Sequence, residues 1–369
     1  MIDFRYHLVS LVAVFIALAV GIALGAGPLR EGISSTLESE VADLRSERAA
    51  LRAQVDSADG LAEARDSVLR VVHERVVAGT LQDVRAGVVV LPGADRNTVD
   101  RLEGQLEEAG ATVVLTAEID AAWEDQEPDQ ARLDLVAALA QTVADPEPRG
   151  GGQPDVATVL AAVLAGADEP GLVGAWLDAG RQLEDGGLID LTWRDDPLSN
   201  VSDRRAPEAL LVVSGGLSDE AAGQEPGSLE LEQRLGLVDA LARLEIPVVV
   251  AGEGTDAMTT GDVELLDPLV GVVRDDRPLA DEVSTVDNVE SAAGQLVVTM
   301  AMAWEVLGEA GHYGLGRGAT GPTPALPPVP AAALPGTIPA PRGADGAAST
   351  DAPTGPEVDE DPDAQTGAP

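Results

Sequence analysis

Residues 86–116 read AGVVVLPGADRNTVDRLEGQLEEAGATVVLT, and this stretch decides the fold. Residues 86–92 form a short apolar run rich in valine, which predicts a buried strand. Residues 97–109 repeat apolar side chains at helical spacing, Gly110 ends that pattern, and residues 111–116 predict a second strand. Two strands joined by a helix pair in parallel through a right-handed crossover. The stretch therefore predicts a βαβ unit.

The same alternation of apolar runs and helical patterns continues along the chain. Further strands are predicted at residues 188–193, 209–214 and 247–251, and further helices at residues 130–144, 156–165, 172–183, 229–244 and 289–307. Strands that alternate with helices form mostly parallel sheets with helices on both faces. The predicted fold class is therefore α/β, with one open, mostly parallel domain over residues 79–318.

Residues 8–29 read LVSLVAVFIALAVGIALGAGPL and contain no charged side chain. Crossing a bilayer takes about 20 apolar residues, so this stretch predicts a single transmembrane helix. A hydrophobic helix near the start of a chain leaves a short cytoplasmic N-terminus, here residues 1–7, and places the rest of the chain outside the cytoplasm. The alternative is a cleaved signal peptide, for which Ala23 and Gly25 offer small residues at the required offset. The length of the run favours an uncleaved anchor in the cell membrane or cell envelope, with an extracytoplasmic C-terminal domain.

Residues 35–78 carry apolar side chains at alternating spacings of four and three, with charged residues around them. This heptad pattern is typical of a coiled coil and predicts a stalk that forms a homo-oligomer, with a dimer favoured. Arg48 falls within the seam, and the spacing continues more weakly through Leu69, Val72 and Val76. The alternative is an amphipathic helix that packs on its own domain. The predicted contacts between copies are Leu37, Val41, Leu44, Leu51 and Val55.

Residues 319–369 differ in composition from the rest of the chain. From residue 320 onward, proline, alanine and glycine supply 29 of 50 residues, and seven acidic residues accompany one arginine. Such a segment has too little apolar surface to bury and cannot order itself. We predict a disordered, acidic tail.

The charge balance of the chain is strongly acidic and excludes several classes of partner. The 64 acidic residues outnumber 23 basic residues, all of them arginine, for a formal net charge of −41. A polyanion of this strength repels phosphate backbones, which excludes nucleic acid as a partner. Cysteine is absent, so disulfides, thiolate nucleophiles and zinc–thiolate sites are excluded as well.

No arrangement of residues in the sequence predicts a catalytic or cofactor site. Residues 252–257 match G-x-G-x-x-A, but Gly261 and Pro268 interrupt the helix that such a loop requires, and Glu253 would repel a phosphate. His73, one of three histidines, is predicted to be a solvated surface residue. We therefore predict that the protein is not an enzyme and has no cofactor.

Three parts of the chain carry a resemblance to a known family. They are residues 1–29, the stalk after them, and residues 284–314, which read STVDNVESAAGQLVVTMAMAWEVLGEAGHYG. Together they resemble the actinobacterial copper transport protein MctB family, over residues 1 to about 318. The resemblance implies a membrane-anchored envelope protein of copper homeostasis or copper efflux, described as a pore-forming protein of the outer membrane. Relatives in that family are also associated with cell-division and wall-remodelling partners.

Copper would be a transported ion here, and the sequence offers few ligands for it. Cu(I) favours sulfur ligands, yet methionine occurs only at positions 1, 258, 300 and 302. Met300 and Met302 lie on different sides of a predicted helix, so both are predicted to be core residues. His312 is the single candidate metal ligand.

Two functions stay open at this point, and they belong to different classes. The first is the copper homeostasis and efflux that the resemblance implies. The second is a bitopic coiled-coil scaffold that presents an α/β module to cell-division or wall-remodelling partners in the envelope.

Overall fold

The structure is a computed structural model that describes residues 4–26, 28–124, 130–143, 155–166, 172–194, 204–217, 229–254 and 267–328. The side chains of residues 24–38, and so the predicted contact Leu37, are outside this description, as are residues 329–369 of the predicted tail. The predicted fold class is confirmed: an apolar N-terminal helix and a long second helix precede a mostly parallel α/β sheet.

The elements of the described residues follow one another in the order that the sequence pattern predicts. The helices are α1 (Phe4–Ala26), α2 (Pro28–Val77), α3 (Arg96–Glu108), α4 (Gln130–Ala140), α5 (Val156–Ala165), α6 (Val173–Asp185), α7 (Leu229–Ala242), α8 (Pro268–Asp275), α9 (Arg277–Ala280) and α10 (Ala292–Val306), with a 3₁₀ turn at Ala121–Glu124. The strands are β1 (Arg85–Val90), β2 (Thr112–Ile119), β3 (Ile189–Trp193), β4 (Ala209–Ser214), β5 (Val248–Gly252), β6 (Ser284–Val286) and β7 (His312–Tyr313).

The strands form one sheet in the order β3-β2-β1-β4-β5-β6-β7. Every neighbouring pair is parallel except β2 and β3, which run antiparallel. The strand order reverses between β1 and β4, as it does in doubly wound α/β folds. In such folds the crevice at the carboxyl ends of these two strands is where ligands bind, so that edge is the first place to look for a site.

The core lies in two layers because successive side chains of a strand point to opposite faces of the sheet. Val88 and Val90 pack with α3 and α10 on one face, while Val89 and Leu91 pack with α5, α7 and α8 on the other. Both faces are covered, which is why the central strands read as unbroken apolar runs.

Two helices and two strands near the end of the domain were not predicted. Asp267 caps α8 by accepting hydrogen bonds from the amides of Leu269 and Val270, and Pro268 occupies its first turn. This helix begins at Pro268, and residues 255–266, where a helix directly after the G-x-G-x-x-A loop would lie, are outside the described residues. Proline at the first helical position needs no amide partner, so it marks a start here.

The end of α2 packs on the domain, which corrects one prediction for the stalk. Asp66, Leu69 and Val76 are partly buried against it, and Val77 is fully buried. His73, predicted to be solvated, is only 2% exposed. Its Nδ1 donates a hydrogen bond of 2.9 Å to Oε2 of Glu108 on α3.

The first residues of the predicted tail are part of the folded domain. Thr320 bonds the backbone of His312, and Gly314 donates its amide to the carbonyl of Gly321. Trp304 on α10 donates from its indole nitrogen to the carbonyl of Ala325 at 2.8 Å. These contacts extend the folded domain at least to Ala325, beyond the boundary that we predicted at residue 319.

Candidate functional site

The crevice between β1 and β4 is filled by the protein's own backbone. Gly93 follows β1 and Gly215 follows β4, and a Cβ placed on Gly215 would lie 2.0 Å from the carbonyl carbon of Gly93. Only a residue without a side chain allows this approach. The two loops therefore pack against each other where a doubly wound fold would otherwise open.

The described part of the G-x-G-x-x-A loop is occupied by carboxylates. Oε1 of Glu253 accepts the amide of Asp95 at 3.1 Å, and Oε2 of Glu290 accepts the amide of Gly254 at 2.9 Å. Burial raises the pKa of Glu253 above its usual range. A phosphate site needs free amides, and these two are already bonded to acidic side chains.

Arg234 is the buried cation at this edge, with 1% of its side chain exposed. Its guanidinium donates to Oε1 of Glu124 at 2.7 Å and to Oε1 of Glu230 at 2.9 Å. It also donates to the carbonyls of Pro92 and Gly215, at 3.2 and 3.1 Å. Arg234 therefore ties the ends of β1 and β4 to α7, and its planar fork is already used in doing so.

A buried carboxyl lies under the same edge, at the start of α8. Asp267 is fully buried, accepts a hydrogen bond of 3.2 Å from the hydroxyl of Ser214, and caps α8. Burial raises its pKa to about 7, against the opposing effect of these hydrogen bonds. Asp267 joins β4 to α8, so it acts as a structural link.

The candidate ligand His312 lies on β7, half-buried. Oγ1 of Thr285 lies within hydrogen-bond distance of Nδ1 of His312, at 3.0 Å, and also accepts from Nε of Arg274 at 2.8 Å. Burial, and then the positive charge of Arg274, lower the pKa of His312, while a hydrogen bond to the backbone of Ala280 acts in the opposite direction. These contacts engage the ring, and the assignment of His312 as a metal ligand stays a prediction.

A buried ion pair that the sequence analysis missed organises the surroundings of His312. Nη1 of Arg274 lies 2.8 Å from Oδ2 of Asp287, and both side chains are almost fully buried. Asp287 also accepts the amides of Leu315 and Gly316, while Arg274 donates to the carbonyl of Tyr313. The pair therefore holds β7 and the turn after it against β6.

Gly314 shows how closely this turn is held. Its φ is +128°, and a Cβ on it would lie 2.1 Å from Oδ1 of Asp287. The sequence carries one local indication of this arrangement. An acidic residue, Asp287, directly follows a short β-branched run, and the G-H-Y-G turn comes later in the chain. The partner Arg274 lies 13 residues away on another element, which no local pattern indicates.

The methionines of α10 are where the sequence predicted. Met300 is 4% exposed and Met302 is fully buried in the core between α10 and the sheet. Met1 and Met258 lie outside the described residues. Among the residues that the structure describes, no group of three or more histidine and carboxylate side chains could hold a metal ion.

A cleft of about 450 Å³ opens at the amino edge of the sheet, near the starts of β5 and β6. Its acidic lining residues are Glu245, Asp281, Glu282 and Glu305. Glu305 is 6% exposed and accepts a hydrogen bond from the hydroxyl of Ser284. Burial raises the pKa of Glu305 to about 7, so this carboxyl titrates near neutrality.

The N-terminal helix has the length and composition of a membrane span. Residues Phe4–Ala23 have a mean hydropathy of 2.3, and none of this stretch is buried against the rest of the protein. An apolar helix of 20 residues without an internal partner fits the hydrocarbon core of a bilayer.

Comparison with known proteins gives the family. The family described as "Copper transport outer membrane protein, MctB" matches residues 1–324. The proteins named Copper transporter MctB from Mycobacterium bovis and Mycobacterium tuberculosis are each 29% identical over 335 residues, covering 86% of this chain and 98% of theirs. The one from Mycobacterium leprae is 30% identical over 339 residues, covering 87% and 98%. These relatives are named transporters rather than enzymes, and since the match begins at residue 1 and spans anchor, stalk and domain, the chain belongs to the MctB family of copper transport outer membrane proteins.

Proposed function

We propose that the protein is a membrane-anchored cell-envelope component of copper efflux. The observation that carries this proposal is the reach of the family match, which includes α1, α2 and the sheet. We therefore expect copper efflux to require the membrane-anchored full chain and not the α/β domain alone. The proposal includes no enzymatic step.

The chemistry of the described residues limits how this chain would handle the ion. Soft sulfur ligands suit Cu(I), but Met300 and Met302 are core residues of α10. A single apolar span also encloses no channel by itself. A path for copper would therefore need several copies of the chain, or a partner that supplies the ligands.

A scaffold is the second candidate, and one observation favours it. The helix α2 extends over 50 residues, and its described side chains before Asp66, those of residues 39–65, are exposed. A rigid stalk of this kind would hold the α/β domain away from the membrane, where partners in the envelope could reach it.

Deletion of the gene separates the two candidates. Copper efflux predicts raised cellular copper and greater copper sensitivity, both reversed by the full chain. A second strain should carry the full chain with α1 replaced by an unrelated span of equal length, which keeps the anchor and tests its sequence. Normal copper content together with altered septa or wall morphology would contradict copper efflux and support the scaffold.

A further inference from the structure

The helix α2 has two rows of exposed apolar side chains. The first row contains Val41, Leu44, Leu51 and Val55, which are 37%, 63%, 55% and 58% exposed. The second row contains Leu61, Val68 and Val72, which are 53%, 62% and 37% exposed. Contiguous exposed apolar side chains of this size mark a surface that another chain or a membrane covers.

The two rows follow the same heptad spacing but differ in phase. The first row steps by three and four through Arg48 and ends at Ala58. The second row restarts at Leu61, three residues later, and steps by four and three through Arg65 to Val72. A three-residue shift of this kind overwinds a coiled coil locally. Gly60, at the shift, has open space around the position of a Cβ.

The phase shift coincides with the start of the contact between α2 and its own domain. An unbroken heptad would use Leu69, Val72 and Val76, but Leu69 and Val76 are partly buried against the domain and only Val72 is exposed. The second row lies on average about a sixth of a turn around the helix axis from them, and its apolar side chains stay exposed. One face of α2 therefore packs against the α/β domain, and a neighbouring face stays exposed and available for contact with another chain.

We propose that α2 of one chain pairs with α2 of a second copy, in parallel and in register, along both rows. Leucine at one seam position (44 and 51) and valine at the other (41 and 55) favour two strands. The membrane span near the start of each chain gives all copies the same direction, which makes the pair parallel.

Charge complementarity within this one sequence selects a second copy as the occupant. Positions 41, 48 and 55 are equivalent in the heptad. In a parallel, in-register pair, the residue before such a position faces the residue five places later in the sequence of the other helix. Glu40 then faces Arg45 of the second copy, and Glu47 faces Arg52 of the second copy. By symmetry each pair forms twice, and no like charges meet at these positions.

Arg48 and Arg65 fall within the rows, where a charge costs stability. A polar residue at a single seam position is a known means of fixing register and the number of strands. The long arginine side chain can also place its guanidinium at the edge of the seam while its stem packs inside.

Single cysteines test the pairing directly, because the natural chain contains none and each variant has one thiol. The full chain in native membranes should carry Leu44→Cys, Leu51→Cys, Val68→Cys or Val72→Cys and be treated with a mild oxidant. The controls are Ala53→Cys, on the face opposite the first row, and Leu69→Cys, on the face turned to the domain. A disulfide forms only where the Cα atoms approach within about 7 Å.

The four seam variants should cross-link to homodimers at least about tenfold faster than both controls. Equal rates for Leu44→Cys, Leu51→Cys and Ala53→Cys would overturn the pairing. Rapid cross-linking of Leu69→Cys with none for Val68→Cys would overturn the phase shift. A link to a different protein would exclude the second copy as occupant, and a seam variant that leaves one chain in three unlinked would indicate three strands instead of two.

Discussion

The α/β domain and the stalk use the same kinds of residue in opposite ways. In the domain, charged groups such as Arg234 and Arg274 are turned inward and bonded to buried carboxylates and carbonyls. In the stalk, charged groups surround apolar side chains that remain exposed in a single chain. The domain pairs these buried charges internally, whereas the pairing that we propose would cover the apolar rows of the stalk with a second chain. Association should therefore be sought in α2, and the effects of substitutions in the two regions should differ in how they depend on protein concentration.

The largest effect is expected from Leu44→Ala combined with Leu51→Ala. Each truncated leucine should cost about 2–5 kcal/mol if the seam is buried between two chains. The full chain in detergent should then dissociate at concentrations where the natural chain is paired, as sedimentation would show. Ser46→Ala with Ala53→Ser, on the opposite face, is the matched control and should leave association unchanged. Equal behaviour of the two double variants would mean that this face of α2 packs against nothing.

A smaller effect, independent of concentration, is expected from Asp287→Ala in the domain. The substitution leaves Arg274 buried without its carboxylate, and breaking such a pair costs about 3–5 kcal/mol. Urea unfolding followed by tryptophan fluorescence would measure the loss. Asp275→Ala, which removes the partner of Arg317 from an exposed pair, should cost at most about 1 kcal/mol. If both variants lost the same small amount, the buried pair would not be what holds β7 in place.

The pH dependence of stability should be traceable to Glu305. Burial raises its pKa to about 7, so the folded state binds a proton that the unfolded state has already released. The stability from this group is therefore complete below its usual pKa and is lost as the pH rises towards 7. Glu305→Gln cannot ionise and should be more stable than the natural domain by about 3 kcal/mol at pH 8, with little difference at pH 4.

The matched control for this titration is Glu309→Gln, at an exposed position four residues further on. It should leave the curve of unfolding free energy against pH unchanged. If the curve of unfolding free energy against pH were parallel for Glu305→Gln and the natural chain over the whole range, the pKa of Glu305 would not be raised by burial.

The smallest effect is expected from reversing charges beside the seam. Glu47→Arg would face Arg52 of the second copy with a like charge and should weaken association by about 0.5 kcal/mol for each exposed pair. Adding Arg52→Glu restores opposite charges and should restore association. Salt should reduce both changes, since exposed pairs are screened. A double variant as weak as the single one would exclude the in-register arrangement.

The central part of the fold could be predicted because its local patterns agree with its tertiary structure. The β1-α3-β2 unit follows from valine-rich runs around a helix that Gly110 ends. The strands β6 and β7 have only three and two residues, too few for a periodic signal. Their place in the sheet depends on Arg274 and Asp287, which lie on different elements, and such pairs leave no local trace.

The stalk shows a different limit of sequence reasoning. The heptad arithmetic accommodates Leu69 and Val76 as well as Leu61 and Val68, with Val72 common to both patterns, and only the packing of α2 on the domain decides between them. The helix breakers Gly261 and Pro268 and the charge of Glu253 argue against a phosphate site at the G-x-G-x-x-A loop, and the described residues add a physical reason. Two of its neighbouring amides already bond to Glu253 and Glu290.

The most direct test of the difference between the regions is the mass of the full chain in density-matched detergent. Sedimentation equilibrium over a range of concentrations should give two chains per particle at tens of micromolar. The Leu44→Ala and Leu51→Ala double variant should give one chain with an unchanged domain unfolding curve. A natural chain that sediments as a monomer at these concentrations would contradict the pairing of α2.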